Sequence, residues 1–174
     1  SSSNAWVDSL GRLHLKITKR NNQWQCSEVL LNQSLGYGRY VFHLVGNTAG
    51  QMNENAVLGL FTWDDTAASE NYREIDIEFA RWGNASDPTN AQFVVQPWNT
   101  PGNLVRWTFP LTAETSAHWF DWQTDSVSFG SVKGMNIFPP YDSLITSWNY
   151  SGADIPTAGL VRVHLNLLLM NGLA

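Results

Sequence analysis

The sequence predicts an all-β fold, a sandwich or jelly roll, and three observations predict it. Nearly every segment alternates apolar and polar residues with period 2, as strands with one buried face do. No segment holds a helical period over three turns. About eleven short apolar runs are separated by Gly, Pro, Asn and Asp turn signals. The 174 residues suffice for one domain, spanning 1–174, to bury a full core.

The elements follow in order. Leu13, Leu15 and Ile17 alternate with His14, Lys16 and Thr18, giving a first strand. Residues 23–31 give a second, turned by Asn21-Asn22, and Gly36-Tyr37-Gly38 introduces a third over 39–45. After a polar loop over 46–55, residues 56–63 form an apolar strand expected to be buried on both faces. A second polar loop, 64–72, leads into an acidic strand over 73–80. Beyond the 83–90 loop come strands at 91–98 and 104–109, separated by a Pro101-Gly102 turn. Residues 118–123 and 126–132 make a hairpin around Thr124-Asp125. Pro139-Pro140 marks an irregular stretch, and strands at 144–150 and 161–170 follow. No internal repeat or domain linker interrupts the pattern.

Composition narrows the function. Hydrophobic residues make up 43% of the chain and charged residues 14%, which excludes disorder. Nine Trp are more than a core absorbs with every indole N–H satisfied, so some should line a surface or groove. A formal charge of −5 leaves no basic stripe for nucleic acid. The single cysteine, Cys26, rules out an internal disulfide and a Cys-based metal site. The longest apolar run, over 165–170, is too short to span a bilayer. A start at Ser1-Ser2-Ser3 without Met reads as processed or trimmed. Asn32, Asn84 and Asn149 stand in Asn-x-Ser sequons, a weak signal in an Asn-rich chain.

The acidic strand carries the chemistry. Glu74, Asp76 and Glu78 share one face, while Ile75, Ile77 and Phe79 face the core. Three like charges on one face repel and raise one another's pKa. By pattern alone they are either a solvated acidic face or a working carboxylate set. In a sandwich the apolar face packs between the sheets, and the outer face of a curved sheet becomes a trough. Glu74 and Glu78 have Cα atoms ~13 Å apart, and their side chains can lean together. The tips then approach the ~5–5.5 Å of a retaining glycosidase pair, with the ~6.5–9.5 Å of an inverting pair not excluded. Arg73 and Arg81 fall on the opposite parity and receive no role.

Glu74-Ile75-Asp76-Ile77-Glu78-Phe79 resembles the active-site strand of glycoside hydrolase family 16, the lichenase and laminarinase type of β-glucanase. Its spacing is that of the regular strand, not of the bulged form with one more residue. Trp24-Gln25-Cys26-Ser27-Glu28 and Gly36-Tyr37-Gly38-Arg39-Tyr40 resemble the family's Cys-x-Glu and Tyr-Gly-x-Tyr stretches. Leu60-Phe61-Thr62-Trp63, Gln92-Phe93 with Trp98, His118 to Trp122 with Asp125, and Asn166-Leu167 match further stretches in order. The resemblance covers residues 24–172.

It implies a concanavalin A-like jelly roll of two curved antiparallel sheets with an open cleft. Glu74 would be the nucleophile, Asp76 the assisting carboxylate and Glu78 the general acid/base. Trp63 looks like a sugar-stacking platform, and Trp82, Trp98, Glu28 and His118 are the other candidate substrate contacts. For His118 a hydrogen-bonded structural role stands beside the trough role, and Trp119 and Trp122 are read as core or edge residues. The implied reaction is retaining, endo-acting cleavage of a β-1,3 or mixed β-1,3-1,4 glucan. The same fold also serves glycan-binding modules and transglycosylases. No cofactor is required; relatives carry a structural Ca²⁺, for which this chain offers no assignable ligand set. The implied protein is a secreted monomer whose partner is a polysaccharide. Two departures bear on the substrate: Leu30 stands where lichenases carry Arg, and Leu168 replaces the Trp of Asn-Leu-Trp.

Overall fold

The computed structural model describes residues 2–46, 51–110, 114–138 and 143–172. Ser1, part of the 46–55 loop and the Pro139-Pro140 stretch lie outside the described residues. The strands are β1 (Ala5–Val7), β2 (Leu13–Leu15), β3 (Thr18–Arg20), β4 (Gln23–Gln25), β5 (Ser27–Leu30), β6 (Gly38–Val45) and β7 (Ala56–Trp63). They continue with β8 (Ile75–Ala80), β9 (Ala91–Val95), β10 (Leu104–Trp107), β11 (Thr115–Trp122), β12 (Val127–Lys133), β13 (Leu144–Tyr150) and β14 (Arg162–Leu169).

Six strands form one antiparallel sheet in the order β10-β9-β8-β7-β14-β5, and four form a second in the order β13-β12-β11-β6. Two small hairpins, β1-β2 and β3-β4, flank them. This is the all-β jelly-roll sandwich that the alternation predicts.

Ile75, Ile77 and Phe79 of β8 are fully buried between the sheets, in one cluster with Phe93, Phe120, Trp122 and Phe129. Burying such side chains is worth about 1.5–3 kcal/mol each. It also fixes register, because a one-residue slip would drive Asp76 and Glu78 into the core.

The strand count differs from expectation for local reasons. The 23–31 run divides at Cys26: β4 pairs with β3 across the Asn21-Asn22 turn, and β5 pairs with β14 in the large sheet. Both turn asparagines have positive φ (47° and 62°), the left-handed pair that a two-residue hairpin requires. β1 and β3 have only three residues each, too few to show alternation. In β7, Val57 and Gly59 are buried on the outer face, but Phe61 and Trp63 emerge there. That strand is therefore buried on both faces at its start only.

Candidate active site

Pairing in the large sheet lays residues in rows across its outer face. One row runs Glu28, Asn166, Gly59, Glu78, Gln92 and Arg106. The adjacent row runs Leu30, His164, Phe61, Asp76, Val94 and Leu104. Glu74 precedes β8 in extended conformation (φ −85°, ψ 128°), and its carbonyl accepts a bond from Gln96 N at 3.2 Å. All three carboxylates therefore belong to one face, as the alternation requires.

Gly59 has a steric reason. A β-carbon there would lie 2.8 Å from Asn166 Oδ1, which accepts a bond from Gly59 N at 3.1 Å. The missing side chain lets Asn166 lie across the sheet beside Glu78's row.

Each carboxylate has a distinct environment. Burial pushes Glu74 up to about 7; a hydrogen bond from Asp76 pulls it down, and the charge of Glu78 adds to the rise. Asp76 is 2% exposed, and burial raises it well above the ordinary range, aided by the neighbouring Glu74 and Glu78 charges. Burial and the two neighbouring charges thus favour the protonated form of Asp76, whose carboxyl shares a hydrogen bond with Glu74. Glu78 is also raised by burial, opposed by the Gln92 hydrogen bond and by Arg106.

Two glutamines of the neighbouring strand hold these groups. Gln92 Nε2 donates to Glu78 Oε2 at 2.6 Å, while its Oε1 accepts from Arg106 Nη1 at 2.8 Å and Trp82 Nε1 at 3.2 Å. Gln96 Nε2 donates to Asp76 Oδ2 at 2.9 Å. Sequence reasoning assigned no role to Gln92, Gln96 or Arg106. The available signal was two glutamines four residues apart in an otherwise apolar strand, on the carboxylates' side of the sheet.

The tryptophans border this face. Trp63 stacks on Tyr72 (centroids 4.0 Å apart, planes 10° apart) and donates Nε1 to Asp65 at 3.0 Å. It is half-buried at the sheet's margin and absent from the core cluster. Trp82 and Trp98 line a cavity of about 850 Å³ together with Glu78, Gln92, Gln96 and Arg106. Trp98 is 64% exposed. Glu28 lies at the far end of its row, half-exposed, with Oε1 bonded to His164 Nδ1 at 2.7 Å. Leu30 and Leu168 also sit on the outer face, in rows on either side of Glu28's.

His118 is not a trough residue. It is fully buried between the sheets, packed against Phe79, Trp107 and Phe109 and bonded through its two ring nitrogens to Ser116 and Ser131. It sits on β11 of the four-stranded sheet, with the parity of Phe120 and Trp122, whose side chains face the core. The structural alternative is therefore the correct one.

Among the described residues no three His, Cys, Asp or Glu side chains converge to hold a metal ion. Among the described residues no helix is long and apolar enough to cross a membrane.

No family model matches the chain, and no curated protein matches it by sequence. Solved structures do match. A β-glucanase from Bacillus licheniformis is 26% identical with a TM-score of 0.66, over 97% of this chain and 70% of that one. A β-1,3-1,4-glucanase (lichenase) from a mouse hindgut metagenome is 20% identical with a TM-score of 0.63, over 97% and 71%. A β-1,3-glucanase from Mycobacterium marinum is 16% identical with a TM-score of 0.64, over 96% and 67%. The last two, at such low identity, bear on the fold alone. The first of the three, a β-glucanase, supports a glycosidase. The chain carries the fold of the glycoside hydrolase family 16 β-glucanases, the family that its sequence resembles.

Proposed function

We propose that this protein is a retaining, endo-acting glycoside hydrolase that cleaves a β-1,3 or mixed β-1,3-1,4 glucan. One observation carries the reading. Three carboxyls share one face of the large sheet, and the middle one, Asp76, is buried beside Glu74 and Glu78, which raises its pKa. Glu74 attacks the anomeric carbon as a carboxylate, forming a glycosyl ester as the bond to the leaving oxygen breaks. Glu78 gives its proton to that oxygen. Glu78, now ionised, then takes a proton from water as the water attacks the ester, which releases the sugar and restores Glu74. The hydrogen bond from Asp76 supports Glu74 as an anion when it departs. Gln92 and Arg106 limit how far burial raises Glu78, so its proton remains transferable.

An uncharged glycan suits the border of this trough. Arg73, Arg106 and Arg162 each engage a carboxylate, Asp64, Asp87 and Asp65 respectively, and are not free for sulfate or uronate. Trp63, Trp82, Trp98 and Glu28 are the substrate contacts in this reading. The reaction draws on no cofactor, and the protein acts as a secreted monomer.

Reducing-end release from laminarin, lichenan and barley glucan tests the proposal. The wild type should release oligosaccharides with retained anomeric configuration, and Glu74→Gln should lose at least about a thousandfold. Binding without release would make it a glycan-binding module. Products longer than the supplied oligosaccharide would make it a transglycosylase.

A further inference from the structure

Gln96 bonds two groups with fixed roles. Its Oε1 accepts the backbone N–H of Trp98 at 2.8 Å, and its Nε2 donates to Asp76 Oδ2 at 2.9 Å. A backbone N–H can only donate, so the amide cannot be reversed without facing that donor with its own NH₂. The Trp98 amide therefore decides which end of Gln96 faces Asp76. Oδ2 is engaged as an acceptor, which favours the hydrogen of a protonated Asp76 on the other oxygen. Gln96 is also anchored along its main chain, by the bond from its N to Glu74 O. Gln92 is held in the same manner, its oxygen capped by Arg106 and Trp82 and its NH₂ turned to Glu78.

We propose that Gln96 is a positioning residue: locked by the Trp98 main chain, it reserves one oxygen of Asp76 as acceptor and so directs the Asp76 proton onto Glu74. This deepens the glycosidase reading and rests on it for its catalytic consequence. The consequence is chemical. Without Gln96, Asp76 Oδ2 loses this donor, and the proton is free to turn away from Glu74. Glu74 then loses the hydrogen bond that favours its ionised form, and it ionises only at higher pH. No part of the effect requires Gln96 to touch the sugar.

The test is the titration of ¹³C-carboxyl-labelled Glu74 and Asp76, read by NMR in the wild type, Gln96→Met and Gln96→Glu. Gln96→Met removes both hydrogen bonds at similar volume. Gln96→Glu keeps an acceptor for Trp98 N–H but offers Asp76 an acceptor in place of a donor, drawing its proton away from Glu74. The Glu74 midpoint should rise by roughly one pH unit in Gln96→Met, as for a weakened charge-assisted bond, and further in Gln96→Glu. The acid limb of kcat/KM on lichenan or laminarin should move by the same amount, with KM at the optimum nearly unchanged. A Glu74 midpoint unmoved in a folded Gln96→Glu overturns the proposal, whatever happens to Gln96→Met. A shifted midpoint in a protein that cleaves none of the glucans would uphold the proton placement and sink the glycosidase reading. Turnover with an unmoved midpoint would do the reverse.

Discussion

Arg73 Nη1 lies 2.6 Å from Asp64 Oδ2 in an ion pair whose side chains are only 15% and 1% exposed. The same guanidinium reaches Glu70 and Thr157, and the Arg73 carbonyl accepts Thr62 Oγ1 at 3.0 Å. These bonds hold three consecutive left-handed residues, Asn71, Tyr72 and Arg73 (φ 50°, 57° and 53°), immediately before Glu74. Such φ values are costly for residues other than Gly and persist where surrounding contacts over-determine them. Gly159 leaves room for the pair, since a β-carbon there would collide with Arg73 Nη1.

Breaking this pair should therefore cost both stability and catalysis. Arg73→Met leaves the Asp64 carboxylate buried without its cation, a loss of about 3 kcal/mol by urea unfolding at pH 7. Burial pushes Asp64 up, but bonds from Thr66, Arg73 and Leu160 outweigh it and hold the group down to about 2. A depressed pKa stabilises above the unfolded value of about 3.9, and that contribution is lost as pH falls through about 2. The gap between wild type and variant should accordingly narrow at pH 2. A gap independent of pH would assign the loss to packing instead of charge.

The catalytic carboxyls should behave in the opposite sense. Glu74, Asp76 and Glu78 are all raised, chiefly by burial. Their fold-stabilising contribution is complete below the ordinary carboxylate range and is lost as pH rises, for Glu74 through about 7. From these groups alone the wild-type Tm should fall between pH 5 and pH 8, against the opposite slope that His118 sets below about pH 6.5. In Asp76→Asn, which keeps a permanent donor and cannot ionise, the fall should shrink, with a gain of about 1 kcal/mol at pH 8. Differential scanning calorimetry at the two pH values decides this, and an unchanged pH slope would show that Asp76 ionises without strain. On the free enzyme, kcat/KM should be bell-shaped, with its acid limb near the Glu74 value and its alkaline limb set by Glu78.

The strand that carries these groups was legible because alternation in β8 is marked twice, by an apolar inner face and by Asp76 and Glu78 continuing Glu74 on the outer one. The hairpin at Thr124-Asp125 was legible for a similar reason: Gln123 N bonds Ser126 O around it, and long apolar strands flank it. Gln96 and Arg73 were not. Gln96 acts through a main-chain donor two residues later, a contact without a compositional mark. Arg73 lies on the opposite parity, and its partners Asp64 and Thr157 are 9 and 84 residues away in the chain. For His118 the resemblance offered a trough role beside a structural one, and the sequence did not decide between them. The neighbours of His118, Ser116 and Ser131, which satisfy its ring between the sheets, come from two strands.

Trp63 should matter to substrate more than to folding. One ring face is occupied by Tyr72, its N–H is taken by Asp65, and it stands outside the core cluster. Trp63→Ala should cost about 1 kcal/mol of stability, the scale of an aromatic pair outside a core. If its free face stacks on a sugar ring, KM on glucan should rise about tenfold, a similar energy applied to binding. Trp63→Phe, which preserves stacking but not the bond to Asp65, should recover most of the affinity. A stability loss several times larger, with KM unchanged, would make the residue a structural prop.

His118 predicts a pH effect on folding without one on binding. Burial, with a smaller contribution from the charge of His43, holds its pKa down to about 3. A histidine depressed in the folded state stabilises above its unfolded pKa near 6.5, and that stability drains away as pH falls toward the folded value. The wild type should therefore lose about 1.4 kcal/mol per pH unit across that window from this residue. His118→Phe should remove this share of the slope, because its ring fills the aromatic cluster formed by Phe79, Trp107 and Phe109 and has no proton to take. It should also lose some stability at pH 7, where the Ser116 and Ser131 hydroxyls lose their partner. Urea unfolding at pH 7 and pH 5, with KM measured on the same samples, tests both halves. A change in KM with an unaltered pH slope would return His118 to the trough.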